Sequence, residues 1–246
     1  MTGQGARAMD ADRPEDGDEH GLAEQLDRLG RAALAGTPVP GSFETCWPEV
    51  PLPDAPLAAP RSWLLLTDEH PLSLARLITL AIALDATGDE ALSLPKDDVA
   101  ELPGLLAERA ADARPVWGIV LLVGPPGAYR DADDARELMH AVTDLIRKTG
   151  QARGTRLYVV TRSVTDLGAE EPGLDFLRGL VRVLVLEHPG LHVGLVDLDP
   201  QSDVDALVCE LRADTGDDEV AWRRDVRHAA RLAWSPGEPR TPQLGG

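Results

Sequence analysis

Short apolar runs that alternate with helical segments of ten or more residues constrain this chain most strongly. Four runs have strand length: SWLLLT, VWGIVLLVG, RLYVVTRSV and LHVGLVDLD. Between them lie segments whose apolar residues recur at three- and four-residue spacing, which is typical of helices. Continuous apolar runs are typical of strands buried on both faces. The pattern therefore predicts an α/β fold with a doubly wound, mostly parallel sheet covered by helices on both sides.

Weaker patterns complete the prediction of secondary structure. FETCWPEV indicates an edge strand that ends at a proline-rich segment, and ALSLP indicates a short strand. We expect the helix in VAELPGLLAERAAD to be interrupted near Pro103, and we expect ARELMHAVTDLIRKTG to form a complete helix. The final apolar segment, EVAWRRDVRHAARL, predicts one or two closing strands.

Sequence character divides the chain into four regions. Residues 1–19 are polar and acidic, which predicts disorder, and residues 233–246 read as a flexible tail. Residues 20–36 form an amphipathic helix whose apolar stripe includes Leu22, Leu26 and Leu29. That helix either packs on its own domain or serves in docking or homodimerisation. Residues 43–232 form the main folded region.

Charge and cysteine content exclude several classes of protein. The net charge of −18 repels a phosphate backbone, so we expect no nucleic-acid partner. Cys46 and Cys209 lie far apart and form no Cys-x-x-Cys pair, which argues against a zinc site or a redox dithiol. We see no signal peptide and no apolar run of membrane-spanning length, and we expect a cytoplasmic protein without a membrane partner.

The first strand-to-helix turn lacks the features of a dinucleotide site. Such a site needs glycines that let the backbone approach a diphosphate and donate N–H groups to it. The turn in LLLTDEHPLSLA contains no glycine, and Asp68 and Glu69 would repel a diphosphate there. We therefore predict that this chain binds no cofactor.

Other candidate sites are also weak. The GPPGAYR loop lacks a P-loop ending, so it is either a structural turn or an anion site contacted by Arg130. Neither Tyr129 nor Tyr158 has a lysine four residues later, as a short-chain reductase requires. Pro189 lies within the His-x-x-x-His spacing that ends at His192, so a helical metal site is not expected. We predict no catalytic residue and no metal ligand.

Four segments, taken in order, resemble one family. They are FETCWPEVPLP, RLYVVTRSV, GLVRVLVLEHPGLHVGLVDLD and EVAWRRDVRHAARL. Together they resemble the structural, non-catalytic N-terminal subdomain of the ketoreductase domain of modular type I polyketide synthases. The resemblance implies a truncated Rossmann-like fold, related to short-chain dehydrogenases but lacking the cofactor-binding half. In that family the other half binds NADPH and carries the Ser, Tyr, Lys and Asn active-site group, so no catalytic residue is carried over here.

The sequence departs from the family pattern at two places. Val181 and Val193 stand where the family has smaller residues, and we expect the added volume to alter an interface. The segment before residue 43 also lies outside the family pattern.

Two hypotheses for function follow. In the first, the chain is a non-catalytic partner that stabilises a polyketide synthase chain or a catalytic ketoreductase subdomain, which would hold the NADPH. Its candidate interface residues are Phe43, Trp47, Val220, Trp222 and Val226, together with the stripe on residues 20–36. In the second, the chain is a divergent enzyme acting on a carrier-bound polyketide intermediate. Its candidate pocket residues are Asp68, Glu69, His70 and Arg130.

Overall fold

The computed structural model describes residues 42–53, 59–67, 70–94, 100–110, 115–124, 140, 143–144, 147, 156–162, 172–187, 190–202 and 204–235. The strands are β1 (Ser42–Cys46), β2 (Ser62–Thr67), β3 (Glu90–Ser93), β4 (Val116–Leu122), β5 (Arg156–Arg162), β6 (His192–Leu198), β7 (Glu219–Arg223), β8 (Val226–Ala229) and β9 (Arg231–Ser235). The labelled helices are α1 (Pro71–Ala86), α2 (Leu102–Arg109), α3 (Pro172–Glu187) and α4 (Val204–Ala213).

Seven strands form one sheet in the order β3-β2-β4-β5-β6-β7-β8. Every neighbouring pair from β3 to β7 is parallel, and only the β7–β8 pair is antiparallel. This arrangement confirms the predicted mostly parallel, Rossmann-like fold. The carboxyl ends of β4, β5 and β6 therefore meet at one edge of the sheet, which is where open α/β sheets bind ligands.

Two apolar clusters cover the two faces of this sheet. One cluster joins Leu102 and Leu106 of α2 and Leu177 and Val181 of α3 to the sheet. The other cluster joins the buried sides of α1 and α4 to the opposite face, through Leu77, Leu80, Leu84, Leu207, Val208 and Leu211. The continuous apolar runs of the strands are thus buried on both sides, as the sequence pattern predicts.

Trp63 is a central residue of the second cluster. Its side chain is fully buried, and its indole Nε1 donates a hydrogen bond to Asp89 Oδ2 at 2.9 Å. The ring lies against the backbone of the neighbouring strand at Gly118, where a Cβ atom would be only 2.5 Å from Cζ3 of Trp63. Glycine at position 118 thus permits the close approach of the ring to the strand.

A buried ionic cluster holds the closing strands against α4. The guanidinium of Arg227 contacts Glu210 through Nε at 2.6 Å and Asp217 through Nη2 at 2.8 Å. Glu210 also accepts a hydrogen bond from Trp222 Nε1 at 3.1 Å. Burial opposes the charge of Arg227, but the hydrogen bonds and charges of Glu210 and Asp217 outweigh this effect and raise its pKa.

The carboxyl-terminal segment contains three strands, whereas the sequence predicted one or two. Strands β7 and β8 form a hairpin through Arg224 and Asp225, whose φ angles are 50° and 64°. Two positive φ angles in a two-residue loop are typical of a type I′ turn, and the absence of glycine or asparagine there hides the turn from sequence analysis. Strand β9 then pairs antiparallel with β1 in a separate two-stranded sheet.

Two further expectations need correction. Pro103 lies in the first turn of α2, where a missing N–H costs nothing, so it begins this helix instead of interrupting it. Val181 and Val193 are both buried in the first apolar cluster, so their added volume fills the core and does not alter an interface. The apolar side of the helix predicted in ARELMHAVTDLIRKTG lies outside the described residues.

The described chain divides into two compact units. One unit contains residues 47–230, and the other contains strands β1 and β9. In the small sheet, the rings of Phe43 and Trp234 meet edge to face with centroids 5.2 Å apart. The predicted region 43–232 therefore spans parts of both units.

Candidate functional site

A cavity of about 500 Å³ lies at the edge of the large sheet where β4, β5 and β6 end. The helices α1 and α4 form its walls on one face of the sheet. Its lining consists of Leu72, Ala75, Arg76, Thr79, Leu80, Leu122, Val160, Arg162, Leu198, Pro200, Ser202, Val204 and Leu207. Because ligands of doubly wound folds bind at this edge, the cavity is the candidate functional site.

The floor of the cavity is built from the sheet and from the buried sides of the two helices. Leu122, Val160 and Leu198 are buried strand residues, and Leu80 and Leu207 face them from α1 and α4. Leu72 stands at the mouth and is 54% exposed. The cavity thus combines an apolar interior with an apolar residue at its rim.

The polar groups of the lining are mostly occupied by neighbours. The guanidinium of Arg162 donates to the carbonyl oxygen of Pro200, and that of Arg76 donates to the carbonyl oxygen of Val123 at 3.4 Å. The hydroxyl of Thr79 donates to the carbonyl oxygen of Ala75, and the hydroxyl of Ser202 donates to Asp199 Oδ1 at 2.7 Å. The two guanidinium groups give the lining its positive charge.

No histidine, cysteine, tyrosine, lysine or carboxylate occurs among the described residues that line this cavity. A reaction that moves protons near neutral pH needs such a group within hydrogen-bond reach of the substrate. The described lining therefore suits the binding of a ligand through apolar contacts and positive charge.

Asp199 is the carboxylate that bonds to the lining residue Ser202, and it has a structural role. Burial favours its neutral form, but the hydroxyl of Ser202 and the backbone N–H groups of Arg224, Ser202 and Gln201 together lower its pKa. The carboxylate therefore stays ionised while it connects the end of β6 to the β7–β8 turn. A general acid or base would instead need a pKa near the working pH.

Tyr158 is buried between aromatic neighbours on β2 and β6. Its ring centroid lies 6.0 Å from that of Trp63 and 6.0 Å from that of His192. Burial, together with the charge of Asp214, raises the pKa of its hydroxyl. A reductase tyrosine needs the opposite shift, because a neighbouring cation must stabilise its phenolate, so Tyr158 does not fit that role.

The N-terminal end of α1 is a poor match for a dinucleotide. His70 precedes the helix, and its Nδ1 accepts a hydrogen bond from the backbone N–H of Leu72 at 3.3 Å. Pro71 has no N–H group, so two of the donors that could face a phosphate are absent or occupied. The described residues at this turn therefore offer a phosphate fewer backbone N–H donors than an uncapped helix N-terminus would.

Of the candidate pocket residues predicted from the sequence, only His70 lies within the part of the chain that the structure describes. His70 caps α1 and does not line the cavity, whereas Asp68, Glu69 and Arg130 lie outside the described residues. The residues that do line the cavity come from three strand ends, the segment after β6 and two helices. Only their convergence in the fold reveals the site, and no local motif marks it.

The candidate interface residues have varied surroundings. Val220 and Trp222 are buried in the core of their own unit, so we correct their role to internal packing.

The other candidate interface residues lie elsewhere. Trp47 lies under the guanidinium of Arg178, which is 5.3 Å from the ring centroid. Val226 is exposed, and Phe43 packs on Trp234 in the small sheet. Leu22, Leu26 and Leu29 lie outside the described residues.

Sequence analysis missed the exposed apolar residues of two helices. On α1, Leu74, Ile78 and Ile82 recur every four residues and form a solvent-facing stripe, with Ile82 67% exposed. On α3, Val183 is 50% exposed and Leu186 is 81% exposed. The sequence of α1 has apolar residues on every side of the helix. This pattern could have indicated that some of them face solvent, because only one side of the helix packs on the sheet.

The described ranges contain neither a metal-binding cluster nor a membrane-spanning helix. No three histidine, cysteine, aspartate or glutamate side chains there come together in a way that would hold a metal ion. None of the helices in the described part of the chain has the length and apolar character that a bilayer crossing requires.

Known proteins resemble this chain in sequence and in fold. Residues 46–232 match a family model described as the Rossmann fold domain of the polyketide synthase extender module SpnB. A mycocerosic acid synthase-like polyketide synthase of Mycolicibacterium smegmatis is 35% identical over 193 residues, which cover 71% of this chain and 9% of the relative. A phenolphthiocerol/phthiocerol polyketide synthase chain of Mycobacterium tuberculosis is 32% identical over 219 residues, covering 78% of this chain and 12% of the relative.

Solved structures show the same relationship. An A-type ketoreductase from a modular polyketide synthase superposes with a TM-score of 0.59 at 26% identity, and the match covers 82% of this chain and 44% of the ketoreductase. The chain thus spans about a tenth of the length of the curated relatives and less than half of the solved ketoreductase.

Proposed function

The chain belongs to the family of Rossmann-fold domains of SpnB-type polyketide synthase extender modules, and on this basis we propose that it is a non-catalytic structural partner of a ketoreductase. In this role it packs against a catalytic ketoreductase half, or against neighbouring synthase domains, in the cytoplasm. The partner holds NADPH and carries out the reduction. The chain contributes a folded surface that stabilises the partner.

The chemistry of the cavity at the sheet edge carries this proposal. That position would hold cofactor and substrate in an active doubly wound enzyme. Here its described lining lacks an acid–base group, and the N-terminus of α1 is capped by His70 and begins with Pro71. The match to 44% of an A-type ketoreductase also supports a role for this chain as one part of a larger unit.

The outer face of α3 is the proposed contact surface for the catalytic half. Leu177 and Val181 bury the inner side of this helix, whereas Val183 and Leu186 stand on the outer side. An exposed leucine gains free energy when a partner covers it, at about 25 cal/mol per Å² of apolar area. The segment that carries the resemblance most specifically, GLVRVLVLEHPG, contains the carboxyl-terminal half of α3, including Val183 and Leu186.

A reconstitution experiment tests this function. The full chain is mixed with a separately expressed catalytic half of a modular polyketide synthase ketoreductase, and association and NADPH oxidation are measured. We expect the chain alone to bind no NADPH and to raise the rate of reduction by the catalytic half. An unchanged rate, or NADPH binding by the chain alone, would contradict the proposal.

A pair of variants tests the contact surface. Leu186→Glu places a charge on the outer face of α3 and is expected to weaken association about tenfold, because a buried unpaired charge is costly. Ile82→Glu is the control, since it changes another exposed apolar residue, 67% exposed against 81% for Leu186, on α1 on the other side of the sheet. Equal effects of the two variants would show that α3 is not the contact.

A further inference from the structure

We propose that the cavity at the carboxyl edge of the sheet binds a medium-chain acyl carboxylate. The apolar interior would hold the acyl chain, and the guanidinium of Arg162 would hold the carboxylate at the rim. This is a binding site separate from the α3 surface, and it does not depend on the proposed association with a ketoreductase.

The size of the cavity suits such a ligand. At about 500 Å³ it falls within the range of pockets that hold small molecules. A water molecule occupies roughly 30 Å³ in the liquid, and we take the same volume for each non-hydrogen atom of the ligand. On this basis laurate occupies ~400 Å³. An acyl chain of this length would occupy most of the space, whereas a much shorter acid would leave much of the apolar floor uncovered.

The character of the interior selects a chain without polar groups. Leu80, Leu122, Val160, Leu198 and Leu207 contribute only hydrocarbon, and all five are buried. The hydroxyls of the lining already donate to protein oxygens. Each methylene that enters this interior is expected to raise the affinity about fourfold until the cavity is filled.

The charge of the rim selects an anionic head group. Arg162 is the last residue of β5, and its planar guanidinium has five N–H donors, of which Nη2 contacts the Pro200 carbonyl. Its remaining donors suit the two oxygens of a carboxylate. Arg76 adds a second positive charge on α1, and no carboxylate occurs among the described lining residues.

The test measures binding of octanoate, decanoate and laurate to the full chain by isothermal titration calorimetry, each below its critical micelle concentration. We expect affinity to increase with chain length, about fourfold for each methylene. Dodecanol and dodecyltrimethylammonium supply the same tail with a neutral and a cationic head. Laurate that binds no better than either of these, or no detectable laurate binding, would overturn the proposal.

Two variants with matched controls locate the site. Ala75→Trp fills the mouth from an exposed helix position, and it is expected to lower laurate affinity at least tenfold, whereas Ala86→Trp, outside the cavity on the same helix, leaves it unchanged. Arg162→Gln is expected to weaken laurate about tenfold without changing dodecanol binding, whereas Arg147→Gln changes neither. Thermal unfolding confirms that each variant is folded.

The remaining outcomes also decide the question. If Ala75→Trp leaves laurate binding intact but prevents association with the catalytic ketoreductase half, the cavity receives a protein side chain and the acyl proposal is wrong. If laurate binds as expected while the catalytic half fails to associate with the chain, the acyl site stands and the structural-partner function falls.

Discussion

Replacing Gly118 with alanine is expected to destabilise the large unit by about 3 kcal/mol. The added Cβ would lie 2.5 Å from Cζ3 and 2.9 Å from Cε3 of Trp63, and the shortest ordinary contacts are near 3.4 Å. The ring would therefore have to retreat by about 0.9 Å, which is the difference between 3.4 and 2.5 Å. Gly118 does not have a positive φ, so the contact and not the backbone conformation opposes alanine.

The magnitude follows from what holds Trp63 in place. The side chain is fully buried, and such overpacking typically costs about 1–3 kcal/mol. The retreat would also stretch the 2.9 Å hydrogen bond from Nε1 to Asp89, and a bond to a charged group contributes about 1.5–3 kcal/mol. Alanine loses less conformational entropy than glycine on folding, and this difference stabilises the variant by less than about 1 kcal/mol.

The free energy of unfolding is measured by urea titration at neutral pH. Gly179→Ala is the control, because no atom lies within 4 Å of the added Cβ and the position is inside α3. This control is expected to stabilise the fold by about 0.5–1 kcal/mol. If Gly118→Ala lowers the free energy of unfolding and Gly179→Ala raises it, the loss at position 118 is due to the clash and not to alanine in general.

A double-mutant cycle with Trp63→Phe identifies the clashing group. The smaller ring removes the atoms that the new methyl group at position 118 would meet, so the two changes together should cost at least about 1 kcal/mol less than the sum of the single changes. Additive free energies, or a cost below about 0.5 kcal/mol for Gly118→Ala alone, would refute the reasoning.

Two other predictions concern the β7–β8 turn and the carboxylate beside it. Asp225→Gly is expected to stabilise the chain by about 1 kcal/mol, because glycine adopts the positive φ of this position without strain; a lower urea midpoint would contradict this. Asp199→Asn is expected to lower stability most near neutral pH. The pKa of Asp199 is lowered in the fold, so its contribution is present above about pH 4 and is lost as pH falls through the folded pKa. A stability difference from wild type that stays constant from pH 7 to pH 3 would contradict this role.

The fold was largely predictable because its signals are local. The run SWLLLT coincides with β2, and the other three continuous apolar runs contain β4, β5 and β6. Runs of this length between helical segments leave little choice other than a parallel sheet covered on both faces. The hairpin was missed because Arg224 and Asp225 adopt positive φ angles without the usual glycine or asparagine.

The candidate site was not predictable because its signals are distant in sequence. Arg76 and Arg162 are far apart along the chain, and only the parallel order of β4, β5 and β6 brings their helix and strand together. The residues chosen from the sequence were three polar groups of the first turn and Arg130 of a later loop, and of these His70 is a helix cap. The glycine-free turn is a local feature of the sequence, and the absence of a dinucleotide that it predicts stays a prediction.

The pairing of β1 with β9 has an evolutionary consequence. Cys46 and Arg231 are opposite each other in this pair, and they immediately flank the compact unit of residues 47–230. The points where the chain enters and leaves that unit are therefore separated by about one strand spacing, roughly 5 Å. A unit with adjacent ends can be inserted into, or removed from, another polypeptide without displacing the segments on either side. The same geometry makes the unit suitable for circular permutation and for transfer into another polypeptide as one piece.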